Sequence, residues 1–239
     1  RYTLQKTNST PWGTAYSKLG GMSESSSTFK QYDADVFIGT DNLQLADGVS
    51  LTTFVGIGTT NEQYESYGVS GSDFIVPFLI NVKNTANQGS SYSFWEKQIN
   101  SAYGSAEIGF MDYAYLTLTA RNDWFSTLSL KDKEAPNNDL YTSASLSLVL
   151  SDALDLGDVV SFLKLRAGYS QVAGGADSPY ALSLSYGIYG QGHLGASLGS
   201  ISGGTIPNSE ITPFEKNETE FGMDLRLFDN KLSIDATSV

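Results

Sequence analysis

Asp33 and Asp35 are alternate residues, the spacing that sets two carboxylates side by side on one face of a strand. That is close enough, in principle, for a glycosidase pair. Nothing else in the sequence supports hydrolysis. His193 is the sole histidine, lies in a Gly-rich stretch, and has no cysteine or HExxH spacing with it, so no zinc site is expected. A serine hydrolase needs its nucleophile on a strained elbow between strand and helix. "GASLGS" at 195–200 and "YGVSGSDF" at 67–74 both read as loops instead. No Gly-Lys-Ser/Thr follows the glycines of 187–204, so no phosphate cradle is expected, and no EF-hand spacing is present. Neither a catalytic residue, a metal site nor a cofactor is assigned.

Arg121 and Asp123 raise a different question. They close "YAYLTLTARNDW" (113–124), in which Leu116, Leu118 and Ala120 hold one parity while Tyr115, Thr117, Thr119, Arg121 and Asp123 hold the other. Side chains alternate across a strand, so this segment has an apolar face and a polar one. The same alternation recurs in 33–40, 50–59, 102–110, 140–150, 162–170, 221–228 and 232–237. In all eight segments the charged residues oppose the aliphatic ones: Asp33, Asp35, Glu107, Arg121, Asp123, Lys164, Arg166, Asp224 and Arg226. A soluble sandwich turns its apolar parity inward. A membrane barrel turns it outward to lipid and keeps the polar parity for a wet lumen. Parity by itself is compatible with both.

The connections favour the barrel. Links at 41–49, 111–113, 152–160 and 229–230 read as short, 128–139 as medium, and 60–99 and 173–217 as long. Short turns at one rim and long loops at the other are expected of an outer-membrane barrel. Segments 102–111, 114–127, 140–151 and 161–172 reach the length a tilted membrane strand needs. Tyr113, Tyr115, Trp124, Phe125, Tyr141 and Phe162 are placed to form interfacial girdles. Trp12, Tyr64, Tyr67, Tyr92, Phe94, Trp95, Tyr186 and Tyr189 fall in or near the expected long loops, where aromatic faces could stack on sugars or peptide side chains.

Composition agrees. The 239 residues are 40% hydrophobic and only 17% charged, with 14 Tyr, 12 Phe and 24 Gly, a mixture suited to strands. A net charge of −12 argues against nucleic acid, and the absence of cysteine excludes disulfides and thiolate sites. No apolar run reaches the length of a transmembrane helix. The chain starts without Met and stops within an expected strand, which reads as a fragment of something longer.

Four blocks together carry a resemblance: "INSAYGSAEIGFMDYAYLTLTARNDWFSTL" (99–128), "NNDLYTSASLSLVLSD" (137–152), "FLKLRAGYSQVAGGADSPYAL" (162–182) and "IPNSEITPFEKNETEFGMDLRLFDNKLSIDAT" (206–237). Their sequence, order and spacing resemble the barrel of SusC/RagA-type TonB-dependent transporters of Bacteroidota. Over 1–98 only strand and loop character carries the likeness. Leu140-Tyr141-Thr142 and Thr212-Pro213-Phe214-Glu215 depart from the proline and Lys-Pro-Glu usual in relatives, which bears on subfamily and substrate. The resemblance implies an all-β, antiparallel transmembrane barrel of about 22 strands, of which residues 1–239 would supply about eight within a single barrel domain. The plug, the N-terminal region that meets TonB and the final strands would lie elsewhere. It further implies an outer-membrane location amid lipid and lipopolysaccharide, a SusD-like lipoprotein partner, and import of glycans or oligopeptides without bond cleavage. Other readings are a passive porin or adhesin barrel and a soluble all-β carbohydrate-binding module.

Overall fold

The computed structural model describes residues 1–239 apart from Thr14, Tyr16, Asp132, Gly190 and Gln191, and describes only the backbone of Tyr189 and His193. Its strands are β1 (Tyr2–Thr10), β2 (Gly21–Ala46), β3 (Val49–Phe74), β4 (Thr85–Phe110), β5 (Ala114–Phe125), β6 (Asn138–Val149), β7 (Val160–Gly174), β8 (Tyr186–Tyr189), β9 (Leu198–Ile201), β10 (Phe214–Leu227) and β11 (Leu232–Ser238). Nine of them form one sheet in the order β1-β2-β3-β4-β5-β6-β7-β10-β11, so neighbours in the chain are neighbours in space. β8 and β9 make a separate antiparallel hairpin inside the 175–213 connection. By its internal contacts the chain divides into two units, 1–33 with 60–98, and 34–59 with 99–239.

In the second unit the alternation read from the sequence becomes rows of paired residues. Leu116, Leu146, Ala167 and Phe221 stand opposite one another across four strands. Leu148, Leu165, Met223 and Ala236 form the next row, and Leu163, Leu225 and Ile234 a third. The intervening rows are polar: Glu107, Thr117, Ser145, Gly168 and Glu220 in one, Ser147, Arg166, Gly222 and Thr237 in another. Register is therefore uniform, because a slip by one residue would move every aliphatic side chain to the charged face. Among the described residues nothing covers the aliphatic face. Ile108, Leu116, Leu118, Leu146, Leu165, Phe221 and Ile234 are all exposed. The buried hydrophobic residues, among those described, are Met22, Phe74, Phe125, Leu128 and Leu182, none of which belongs to these rows.

Tight turns close one end of this unit. Residues 47–48 link β2 to β3, 111–113 link β4 to β5, and 228–231 link β10 to β11. Met111, Asp112, Phe228, Asp229 and Asn230 all have positive φ, the backbone that reverses twisted strands without splaying them. The turns are tied to each other and to the strands: Met111 N donates to Gly48 O, Val149 N to Tyr113 O, and Phe228 N to Val159 O. Gly48 is required here twice over, by its φ of +70° and because a Cβ would come within 2.9 Å of Met111. The 150–159 link is longer and starts with one helical turn, α1 (Leu150–Ala153).

At the other end, 126–137 and 175–213 form packed loops. Lys133 Nζ donates to Leu128 O at 2.9 Å and to Ile211 O at 2.7 Å, and Ala135 N donates to Glu210. One ammonium thus ties two loops that are far apart in sequence.

All eight expected strands are present, and β1, β8 and β9 are additions. The 41–49 and 60–99 links need correction. β2 runs on to Ala46, leaving a two-residue turn, and most of 60–99 is strand, with only 75–84 between β3 and β4. Over 58–68 of β3 and 87–98 of β4 both parities are polar, aromatic or glycine, so the alternation that marks a half-apolar strand disappears. Side-chain pairs hold these strand ends instead. Glu96 accepts from Asn61 at 2.7 Å and from Gln63, and Lys97 pairs with Glu62 at 3.0 Å.

Candidate functional site

In the second unit the charged face carries a connected polar network. Arg121 and Asp123, two apart on β5, share that face, and Arg121 Nε donates to Asp123 Oδ1 at 2.8 Å. Arg121 Nη2 donates to Ser101 Oγ at 2.8 Å, and the Tyr141 hydroxyl donates to Asp123 Oδ2. The guanidinium lies 5.6 Å from the centre of the Tyr103 ring, whose hydroxyl donates to Asp35 at 3.0 Å. The Asp123 side chain is 8% exposed, so its hydrogen bonds come from these donors rather than from water. Replacing Asp123 with Ala is expected to cost about 1–3 kcal/mol, the range for leaving buried partners unsatisfied, since Arg121 and Tyr141 lose their acceptor. Chemical denaturation of the full-length protein measures it; a loss under about 0.5 kcal/mol would show the network to be idle.

The other charges on this face are paired similarly. Arg166 Nη2 reaches Asp235 at 2.9 Å and Thr237 at 2.9 Å, crossing β10 above Gly222. A Cβ on Gly222 would sit 2.3 Å from Arg166 Nε, so glycine is what opens this path to the edge strand. Arg226 bonds Asp224 at 3.0 Å and stacks 4.8 Å from the Phe162 ring centre. Glu107 accepts from Thr117 at 3.1 Å, and Lys164 stands opposite Asp224. Asp33, in the first unit, accepts from Gln31 and Thr60. Both members of the Asp33/Asp35 pair are thus occupied by neutral donors of the wall.

Three expected girdle aromatics do other work. Tyr141 belongs to the charged network, Phe162 lies beneath Arg226, and Phe125 is buried. Tyr103, Tyr141, Ser101, Glu220 and Asp235 are the members that site selection by charge and parity had left out. Parity puts Tyr103 with Glu107 and Tyr141 with Ser143 on the polar faces of their own strands, which is the available signal.

The aromatics expected in loops are mostly on strands. In the first unit Tyr64 stacks on Trp95 with ring centres 5.6 Å apart and planes 17° apart. Trp95 meets Phe29 at 6.2 Å, and Phe29 meets Tyr2 at 5.7 Å. Tyr67 and Tyr92 form a second pair at 5.0 Å, and both hydroxyls donate to Glu65 Oε1. That hydrogen bond, with some loss of hydration, pushes the Tyr67 phenol up to about 12; loss of hydration and Glu65 raise Tyr92 as well. Tyr67 and Tyr92 border a cavity of about 840 Å³ together with Gln5, Glu24, Ser26 and Ser90. Phe94 is exposed on β4, Trp12 is half-buried in the 11–20 loop, and Tyr186 is exposed on β8. The side chain of Tyr189 lies outside the described residues. Gly195-Ala196-Ser197-Leu198-Gly199 spells a nucleophile-elbow pattern, yet it runs from a 3₁₀ turn into β9, not from a strand into a helix.

Comparison with solved structures decides the fold. The chain superposes on the structure of the RagAB peptide transporter with a TM-score of 0.82 over 98% of its length, at 16% sequence identity. It shares the RagAB transporter fold. Structures of the RagAB peptide importer in the "closed-closed" and "open-open" states match with TM-scores of 0.72 and 0.75, at 15% and 16% identity. In each case the chain spans about a quarter, 26%, of the matched RagAB chain. No family model and no curated protein matches the sequence. The likeness to SusC/RagA barrels read from the four sequence blocks and the likeness of fold to RagAB thus converge. Among the described residues no helix is long and apolar enough to cross a membrane, which leaves open crossing by strands.

Proposed function

We propose that residues 1–239 are wall and outer loops of the barrel domain of a SusC-like, TonB-dependent outer-membrane importer. The observation that carries this reading is the uncovered aliphatic face of the second unit, opposed by a face on which each arginine has a carboxylate partner. Water and a plug on the charged side, and hydrocarbon on the other, satisfy both faces at once. Asp35, Glu107, Arg121, Asp123, Lys164, Arg166, Asp224 and Arg226 then line the lumen. The aromatics of the first unit become candidates for contact with a glycan or oligopeptide on the outer side. A SusD-like lipoprotein captures that ligand, and TonB, engaging a region outside residues 1–239, drives its entry. The chain acts by binding and gating, not by catalysis.

Uptake of a labelled oligopeptide or oligosaccharide mixture by cells carrying the full-length protein tests this. Uptake is expected to cease when TonB is removed. Undiminished uptake without TonB would instead identify a passive porin.

A further inference from the structure

Ile75-Val76-Pro77-Phe78-Leu79-Ile80 is an unbroken apolar run, and it fills the loop joining β3 to β4. Ile75, Val76, Phe78, Leu79 and Ile80 are all exposed, Phe78 to 82%. The loop is not slack. The buried Asn84 side chain accepts from Val76 N at 3.0 Å and donates to Val76 O at 2.9 Å and Leu79 O at 2.7 Å. Asn81 caps the turn that follows by accepting from Lys83 N, and Thr85 Oγ1 donates to Val82 O. Phe78 is held at φ +63°, a conformation rare for a bulky residue. A polar cage thus fixes a strained backbone that presents greasy side chains to solvent, and strain retained in this manner gathers at binding sites.

We infer that 75–80 is a preformed docking knob for a folded protein on the outer side of the membrane, with Phe78 as its anchor in an apolar cleft of that partner. Under the importer reading, on which this rests, the partner is the surface lipoprotein. Area supports a protein occupant: the five side chains offer on the order of 600 Å², most of the roughly 800 Å² per partner in a stable interface and at the upper limit of patches that monomers leave open. Lipid is the poorer occupant. β3 continues for seventeen residues between Ile57 and Ile75, and on the Ile57 parity Val69 is the single aliphatic residue among them. At about 3.4 Å per residue that is on the order of 60 Å of strand, against a hydrocarbon core of about 30 Å. The loop also contributes one lysine, Lys83, where interfacial segments are rich in basic residues. A rigid aromatic at the centre of an apolar patch is the usual energetic focus of a protein interface, and a preformed loop loses little freedom on docking.

Phe78→Gly separates the knob from the fold, since glycine suits the left-handed backbone while deleting the ring. In the full-length protein extracted from outer membranes in mild detergent, this variant is expected to keep its heat-resistant barrel mobility on gels. It is expected to retain at most a tenth of the lipoprotein that copurifies with the wild type. A photo-reactive benzoylphenylalanine at position 78 is expected to crosslink to that lipoprotein. Wild-type copurification by Phe78→Gly, or crosslinks to lipid or to a second copy, would overturn the inference and leave the importer reading standing. A wild-type protein that carries no lipoprotein would overturn both.

Discussion

Arginine in place of Leu146 is expected to destabilise the folded barrel by about 2–4 kcal/mol, the range for a charge on the lipid face near mid-membrane. Leu146 sits between Leu116 and Ala167 on the uncovered aliphatic face. Arginine in place of its neighbour Ser145 is expected to change stability by less than about 1 kcal/mol. That side chain enters the polar row, where Glu220 stands beyond Gly168 as a partner, and exposed pairs contribute only fractions of a kilocalorie. Guanidinium titrations of the full-length protein folded into phospholipid vesicles measure both. Equal effects at 145 and 146 would show that the two faces do not meet different solvents.

A second large effect is expected at Leu128, whose side chain is fully buried. Leu128→Ala should cost about 2–5 kcal/mol, the sum of lost transfer energy and the cavity left behind. The loss should be local. Leu128 ends the 3₁₀ turn Ser126–Leu128, and its carbonyl takes one bond from Lys133, which also bonds Ile211. Hydrogen exchange in 126–137 and 205–213 should quicken by roughly thirtyfold or more, since each 1.4 kcal/mol is a factor of ten. The exposed Leu130 serves as control, with less than about 0.5 kcal/mol expected for Leu130→Ala. Unchanged exchange in Leu128→Ala would mean the loop is held by Lys133 alone.

The legible part of the structure was the part whose environment is binary. Where one face meets aliphatic neighbours and the other meets charge, as along Leu163, Lys164, Leu165 and Arg166, period-two alternation locates the strands that the second unit gives to the large sheet, though not the β8-β9 hairpin. Where the environment is the same on both sides, the signal vanished. Asn61, Glu62, Gln63, Tyr64 and Glu65 alternate between no two environments, so this stretch reads as loop in the sequence although it and its aromatics stand on β3 and β4. The charged network was half visible. Arg121 and Asp123 announced themselves by spacing, whereas Tyr141 and Tyr103 needed the cross-strand register, which no single segment reveals. The knob at 75–80 is visible as composition, but its exposure depends on Asn84, whose three bonds across the loop leave no trace in the pattern of residue types.

The chain has no native cysteine, so single cysteines report without background. The decisive measurement is labelling of the full-length protein in intact outer membranes with a water-soluble maleimide, at Leu116→Cys, Leu165→Cys and Leu225→Cys against Thr117→Cys, Ser145→Cys and Asp224→Cys. The account predicts that the first three resist the reagent and that a lipid-dissolved quencher reaches a probe placed there, while the second three react readily. Ready labelling of the leucine positions, with protection of the polar ones, would contradict it.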